Sequence, residues 1–162
     1  MNIQDFQQKA KNKQIEHKKF LQKLKNKPPK GLDDMVQDIH DAVFADIDCL
    51  SCANCCKTTG PLFTNKDIEK ISKFFKISPQ QFIDKYLRID EDNDYVLQQL
   101  PCPFLDADNY CSIYAYRPKA CAEYPHTDRR KIYQINHLTL NNTLICPAAY
   151  LVVEQMKKQI KI

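Results

Sequence analysis

The stretch Cys49-Leu50-Ser51-Cys52-Ala53-Asn54-Cys55-Cys56 places four thiols within eight residues, at the spacing C-x2-C-x2-C-C. A second group follows as Cys102, Cys111 and Cys121, and Cys146 stands further on. Thiolates are strong ligands for zinc and for iron–sulfur clusters, and two cysteines two residues apart can reach one metal. Three at C-x2-C-x2-C can wrap one corner of an iron–sulfur cluster, as in bacterial ferredoxins. Those runs take their fourth ligand three residues on, before a proline; here Cys56 follows at once, then Lys57, so the ferredoxin pattern is broken. Adjacent cysteines usually point apart, so Cys55 and Cys56 serve different centres or one of them is structural. All eight cysteines are candidate metal ligands, for one centre or two, and the choice between zinc and iron stays open.

The wider composition narrows the field. No apolar run approaches the roughly 20 residues that span a bilayer. The N-terminus, polar through Lys9, has no apolar signal-peptide core. A cytoplasmic location is therefore the expectation, and there thiols stay reduced rather than forming a disulfide framework. With only two glycines, Gly31 and Gly60, neither a dinucleotide fingerprint nor a phosphate-binding loop can be built. The net charge of +4 is uneven: residues 1–30 hold nine lysines against Asp5 and Glu16, and the remainder is mildly acidic.

The elements that must position the thiols read as mainly helical. A basic amphipathic helix is expected over 2–26, with Ile3, Phe6, Ala10, His17, Phe20, Leu21 and Leu24 near one face. Its aromatic residues fall on that apolar stripe, so the lysine face offers no stacking platform and nucleic acid is not an expected partner. The charge would suit an acidic partner, or the helix docks on its own domain. Leu32 to Ile47 reads as a second helix with an acidic outer face, which could pack against the first. Thr64 with Asp67 forms a capping box for a helix through Phe75, and Ser78 with Gln81 another for a helix opening at Pro79. Arg88 to Asp94 reads as a loop, Tyr95 to Leu100 as a short strand, and Asp106 to Asn109 as a hairpin turn. Residues 131–145 alternate like a strand or hairpin, with Asn141-Asn142 as its turn. Cys146-Pro147 opens a last helix through about Lys158. The fold class expected is a small, mainly α, irregular, metal-stapled domain with a short β-hairpin and an N-terminal helical extension. It divides into a basic helix at 1–30 and a cysteine-cluster domain at 31–162.

These residues resemble a known family. The C-x2-C-x2-C-C run, then Cys102-Pro103-Phe104-Leu105, Cys111-Ser112-Ile113-Tyr114, Arg117-Pro118 and Cys121 with Tyr124-Pro125, are similar to the YkgJ-like CxxCxxCC cysteine-cluster family over about residues 45–150. The resemblance implies a zinc- or iron-chelating domain and supports Cys49, Cys52, Cys55, Cys56, Cys102, Cys111 and Cys121 as ligands, and Cys146 less firmly. A similar domain occurs in flagellin lysine N-methylase, which implies one chemistry; this chain lacks an obvious methyl-donor site, and that activity is not carried across. Two functions stand side by side: a metal-binding protein whose centre staples the fold, and an iron–sulfur-dependent redox or radical enzyme; a third, a nucleic-acid-binding zinc module, is favoured by the basic first helix and opposed by the acidic balance near the cysteines. No catalytic residue is identified. Arg117 is a candidate donor to offset thiolate charge. His126 could be a ligand or proton carrier, whereas His40 and His137 read as structural or surface residues.

Overall fold

A computed structural model describes residues 3–162. In chain order the helices are α1 (Ile3–Asn26), α2 (Leu32–Ala45), α3 (Cys49–Cys52), α4 (Asn54–Thr58), α5 (Asn65–Phe75) and α6 (Pro79–Tyr86). An antiparallel pair follows, β1 (Leu87–Ile89) and β2 (Tyr95–Leu97), with Arg88 opposite Val96. A 3-10 turn at Tyr114–Tyr116, α7 (Lys119–Glu123), a 3-10 turn at Ile132–Ile135, α8 (Asn136–Ile145) and α9 (Pro147–Gln159) complete the chain. The fold is mainly α with one short hairpin. Among the described residues, no helix is long and apolar enough to cross a membrane.

The chain separates into two compact units: the described residues up to Ile47 with Pro125–Ile162, and Asp48–Tyr124. The first is a helical packing of α1, α2, α8 and α9. Helix α1 docks by its stripe, burying Phe6, Ala10, Leu21 and Leu24, and packs against α8 and α9. The Pro28-Pro29 pair stops it, and Gly31, at φ 75, turns the chain into α2 through a left-handed conformation that suits glycine. Val36 and Ile39 of α2 then meet Val152, Met156 and Ile160. The acidic face of α2 finds a partner outside α1, since Asp33 accepts from the Lys131 amide at 2.6 Å and lies 3.6 Å from Arg130. His17 is fully buried on α1 and donates through Nε2 to Glu154 at 2.7 Å. Burial, only partly opposed by Glu154, holds that imidazole below its ordinary value. Glu16 on the same helix is drawn down to about 2 by hydrogen bonds from Lys13 and Lys157.

Residues 131–145 correct the strand expectation. They form a 3-10 turn and α8, whose buried face is polar: Thr139, Asn142 and Thr143, at i, i+3 and i+4. Asn142 donates to the Pro125 carbonyl at 3.0 Å, Gln14 to Thr143 at 2.9 Å, and Asn136 to the Leu21 carbonyl at 2.6 Å. A helix that buries hydroxyls and amides gives no apolar stripe, so β-branched alternation was the stronger signal in the sequence. His137 of α8 is exposed.

The second unit is built on stacked aromatics. Phe82 is fully buried, near-parallel to Phe104 at 6.1 Å and tilted against Tyr86 at 5.1 Å. Both expected capping boxes are present, on Thr64 and Ser78. The supposed loop from Arg88 is shorter than expected, because Arg88 and Ile89 belong to β1. The turn proper is held by Asp90 Oδ1, which accepts from the amides of Asp92 and Asp94 at 2.9 and 3.0 Å. Asp67 does more than cap α5. Its Oδ2 takes the Thr64 amide and hydroxyl, and its Oδ1 accepts the Lys119 amide at 3.1 Å, fixing the start of α7.

Two outcomes follow from this core. Phe82→Ala should cost about 3–5 kcal/mol, as large buried aromatics do, read as a lowered urea midpoint with unchanged slope. Burial pushes the Asp67 carboxyl up, but bonds from Thr64 and the Lys119 amide outweigh it, so the folded value lies below the unfolded one. Its contribution is therefore complete above the unfolded value of about 3.9 and is lost as pH falls through the lower folded value. Asp67→Asn should lower stability at pH 7 by about 1–2 kcal/mol, and the gap to the parent should narrow on acid titration to pH 2.

Candidate metal centre

The C-x2-C-x2-C-C run folds as two helical turns set around one left-handed residue. Asp48 caps α3 by accepting the Leu50 amide at 3.0 Å, and the Ala53 amide closes that turn on the Cys49 carbonyl at 3.0 Å. Ala53 itself sits at φ 48, ψ 16, so it ends α3 and begins α4. A residue with a Cβ pays about 1–2 kcal/mol there. The reversal puts Cys49 and Cys52 on one turn and Cys55 and Cys56 on the next. Cys55 Sγ and Cys56 Sγ lie 4.0 Å apart.

The second cysteine segment is joined to the first through backbone. The Cys102 amide donates to the Cys56 carbonyl at 2.8 Å. Leu105 then bridges Cys111, with the Asp106 amide on the Tyr110 carbonyl at 2.8 Å, which makes the expected hairpin turn; Asn109 takes its left-handed position at φ 67. Asn109 Nδ2 also reaches the Ser51 carbonyl at 3.3 Å, tying this turn to α3. Cys102 and Cys111 are half-buried against the aromatic core. Cys121 rides on α7, whose first amide is held by Asp67, and Lys70 Nζ donates to the Arg117 carbonyl at 2.9 Å just before it.

The thiols perturb one another electrostatically. Burial pushes Cys121 up to about 12 and Cys102 up to about 11, and charge on Cys56 adds to both. Cys111 and Cys49 are raised in the same way, by burial first and by neighbouring cysteines after it. Cys56 moves the other way, to about 7, chiefly through its hydrogen bond with Cys55. Arg117 lowers Cys49, Cys111 and Cys121, so it faces the cluster as a cation, with its guanidinium 3.9 Å over the Tyr114 ring.

Seven sequence-predicted ligands, Cys49, Cys52, Cys55, Cys56, Cys102, Cys111 and Cys121, thus lie in the 48–124 unit. Cys146 lies in the helical unit, at the joint between α8 and α9. His126 also belongs to that unit, at φ 64, as does His40, which bonds Thr127 at 2.8 Å and stacks on Phe44. None of the eight cysteines is half of a disulfide. Among the described residues, no three Cys, His, Asp or Glu side chains converge in ligand geometry on one point. The thiols are gathered but not closed. Their chemistry suits a soft or borderline cation, since each thiolate raises its neighbours' hold on protons until a positive charge replaces them. Sequence reasoning missed Ala53 as the pivot and the second use of Asp67; the x-Asp67 spacing revealed the cap but nothing of its reach to Lys119.

An uncharacterized protein of Methanocaldococcus jannaschii, MJ0661, is 33% identical over 84 residues, which cover 49% of this chain and 44% of the relative. The matched stretch thus spans less than half the length of that curated relative. No solved structure matches the chain. Residues 48–146 match the family described as "CxxCxxCC: Putative zinc- or iron-chelating domain", more than half of the chain, and the protein belongs to that family.

Proposed function

We propose that the chain binds zinc or iron, iron as a single ion or an iron–sulfur cluster, through thiolates of Cys49, Cys52, Cys55, Cys56, Cys102, Cys111 and Cys121. The observation that carries this reading is the meeting of separated cysteine segments in one unit, sealed by the Cys102 amide on the Cys56 carbonyl. Cys146, at which the family match ends, is the eighth candidate. Bound zinc would staple the loops, and a cluster would add electron transfer.

The chain's own groups divide the work. Cys56 holds its proton more weakly than Cys49, Cys102, Cys111 and Cys121, through its hydrogen bond with Cys55. Cys102 and Cys121 release theirs only against a cation, so loading expels protons into solvent. Arg117 offsets the negative charge of a multi-thiolate site from outside the donor set. Ala53 and the Asp67–Lys119 bond orient the segments that present the thiols.

Protein purified without oxygen should carry zinc or iron in stoichiometric amount by elemental analysis. A colourless zinc protein supports the staple, whereas iron with sulfide and broad visible absorption supports a cluster. Cys56→Ser and Cys102→Ser should each lower metal affinity by tenfold or more, on the order of losses seen when a metal's coordination is disturbed. Cys146→Ser, run beside them, reads whether the eighth thiol contributes. Metal-free protein with every thiol titratable in the folded state would overturn the proposal.

A further inference from the structure

Apart from its thiols, the 48–124 unit carries a basic and aromatic surface. Lys66, Lys70 and Lys73 recur at i, i+4 and i+7 along one face of α5. With Glu69, Phe74 and Tyr116 they line a shallow groove of about 450 Å³. Phe74 is 43% exposed and Tyr116 40%, unusual for large rings, and the two stack at 4.6 Å and 27°. Tyr114, two residues before Tyr116 in the same 3-10 turn, is 45% exposed, with Arg117 over its ring. Lys70 is drawn toward Asp67 at 3.9 Å and the Arg117 carbonyl, whereas Lys66 and Lys73 have no ion pair among the described residues.

This is not spill-over from a generally positive unit. Residues 48–124 hold nine basic and eleven acidic side chains, and acidic groups concentrate at 90–94 and 106–108. Three of the unit's cations, Lys66, Lys70 and Lys73, lie on α5 with Asp67 and Glu69 between them, and Arg117 lies over the exposed Tyr114 ring. An acidic protein would satisfy the lysines and leave the ring faces idle. A duplex would offer phosphates, with its bases already stacked on one another. A single strand offers both, because unstacked bases lie on aromatic side chains while lysines follow the phosphates.

We propose that the α5 face, with Phe74, Tyr116 and Tyr114 as stacking groups and Lys66, Lys70 and Lys73 as phosphate contacts, binds single-stranded nucleic acid without strong sequence preference. The lysines of α1 differ, since Phe6 is buried and Phe20 is packed against the core of the helical unit. The groove is independent of the metal reading, as none of its lining residues is a proposed ligand.

The test is fluorescence anisotropy of a labelled oligothymidylate with the full chain as purified, alongside a duplex of equal length and a poly-glutamate peptide. Binding should appear below about 100 μM protein in about 50 mM salt, with a log–log salt slope near −2 for three phosphate contacts. Phe74→Ala with Tyr116→Ala, and separately Lys66→Gln with Lys73→Gln, should each weaken it about tenfold. The exposed lysine pair can be exchanged without touching the core, so a folding failure of the aromatic variant leaves the test intact. Lys18→Gln with Lys25→Gln on α1 should change nothing. The proposal is overturned by no binding in that range, by equal affinity for duplex, or by poly-glutamate binding in place of the strand. It is equally overturned if only the α1 variant loses affinity.

Discussion

One backbone hydrogen bond, from the Cys102 amide to the Cys56 carbonyl, governs the 48–124 unit. It joins two segments that the chain separates by two helices and a hairpin, and it does so at the cysteines themselves. Side-chain thiols are poor hydrogen-bonding groups, so cysteines cannot assemble a site by their own attraction. The main chain must carry them there. Here the α3–α4 reversal, the Leu105–Cys111 bridge and the Asp67–Lys119 bond each position one group of the cysteines. The thiols then repel one another electrostatically as they ionise.

The two units hold together by different means. In the helical unit, α8 turns polar groups inward, with Asn142 bonded to Pro125, Thr143 to Gln14 and Asn136 to Leu21 while Thr139 Oγ1 is buried without a partner among the described residues, and α2 and α9 close an aliphatic core. In the other, Phe75, Phe82, Tyr86 and Phe104 make a stack of rings that backs Cys102 and Cys111. A ring stack resists deformation, which suits a wall behind groups that have to be positioned. Buried hydroxyls and amides instead specify which helix face meets which neighbour.

Much of this was legible from residue spacing. The helices α1, α2, α5, α6 and α9 carry either an apolar stripe or an explicit start signal such as Ser78-Pro79, and both kinds of signal are local. The cysteine segments were legible as a set for the same reason, because C-x2-C-x2-C-C has no common structural cause apart from metal. What escaped was non-local. The polar face of α8 makes sense only beside α1, and β1 exists because Tyr95 to Leu97 pairs with it. The exposed rings Phe74 and Tyr116 are 42 residues apart in sequence, and only the fold stacks them on the surface.

The scarcity of glycine has a consequence for the chain before it folds. Ala53, Lys76, Asn93, Asn109, His126 and Lys131 all take left-handed backbone angles, with φ from 48 to 67, where glycine is the usual occupant. Asparagine tolerates this well; alanine and lysine are strained by about 1–2 kcal/mol. The compensation lies in the denatured ensemble, since each glycine avoided removes roughly 0.4–1 kcal/mol of backbone freedom that folding would have to take away. A chain that draws distant cysteines together thus starts from a narrower set of conformations.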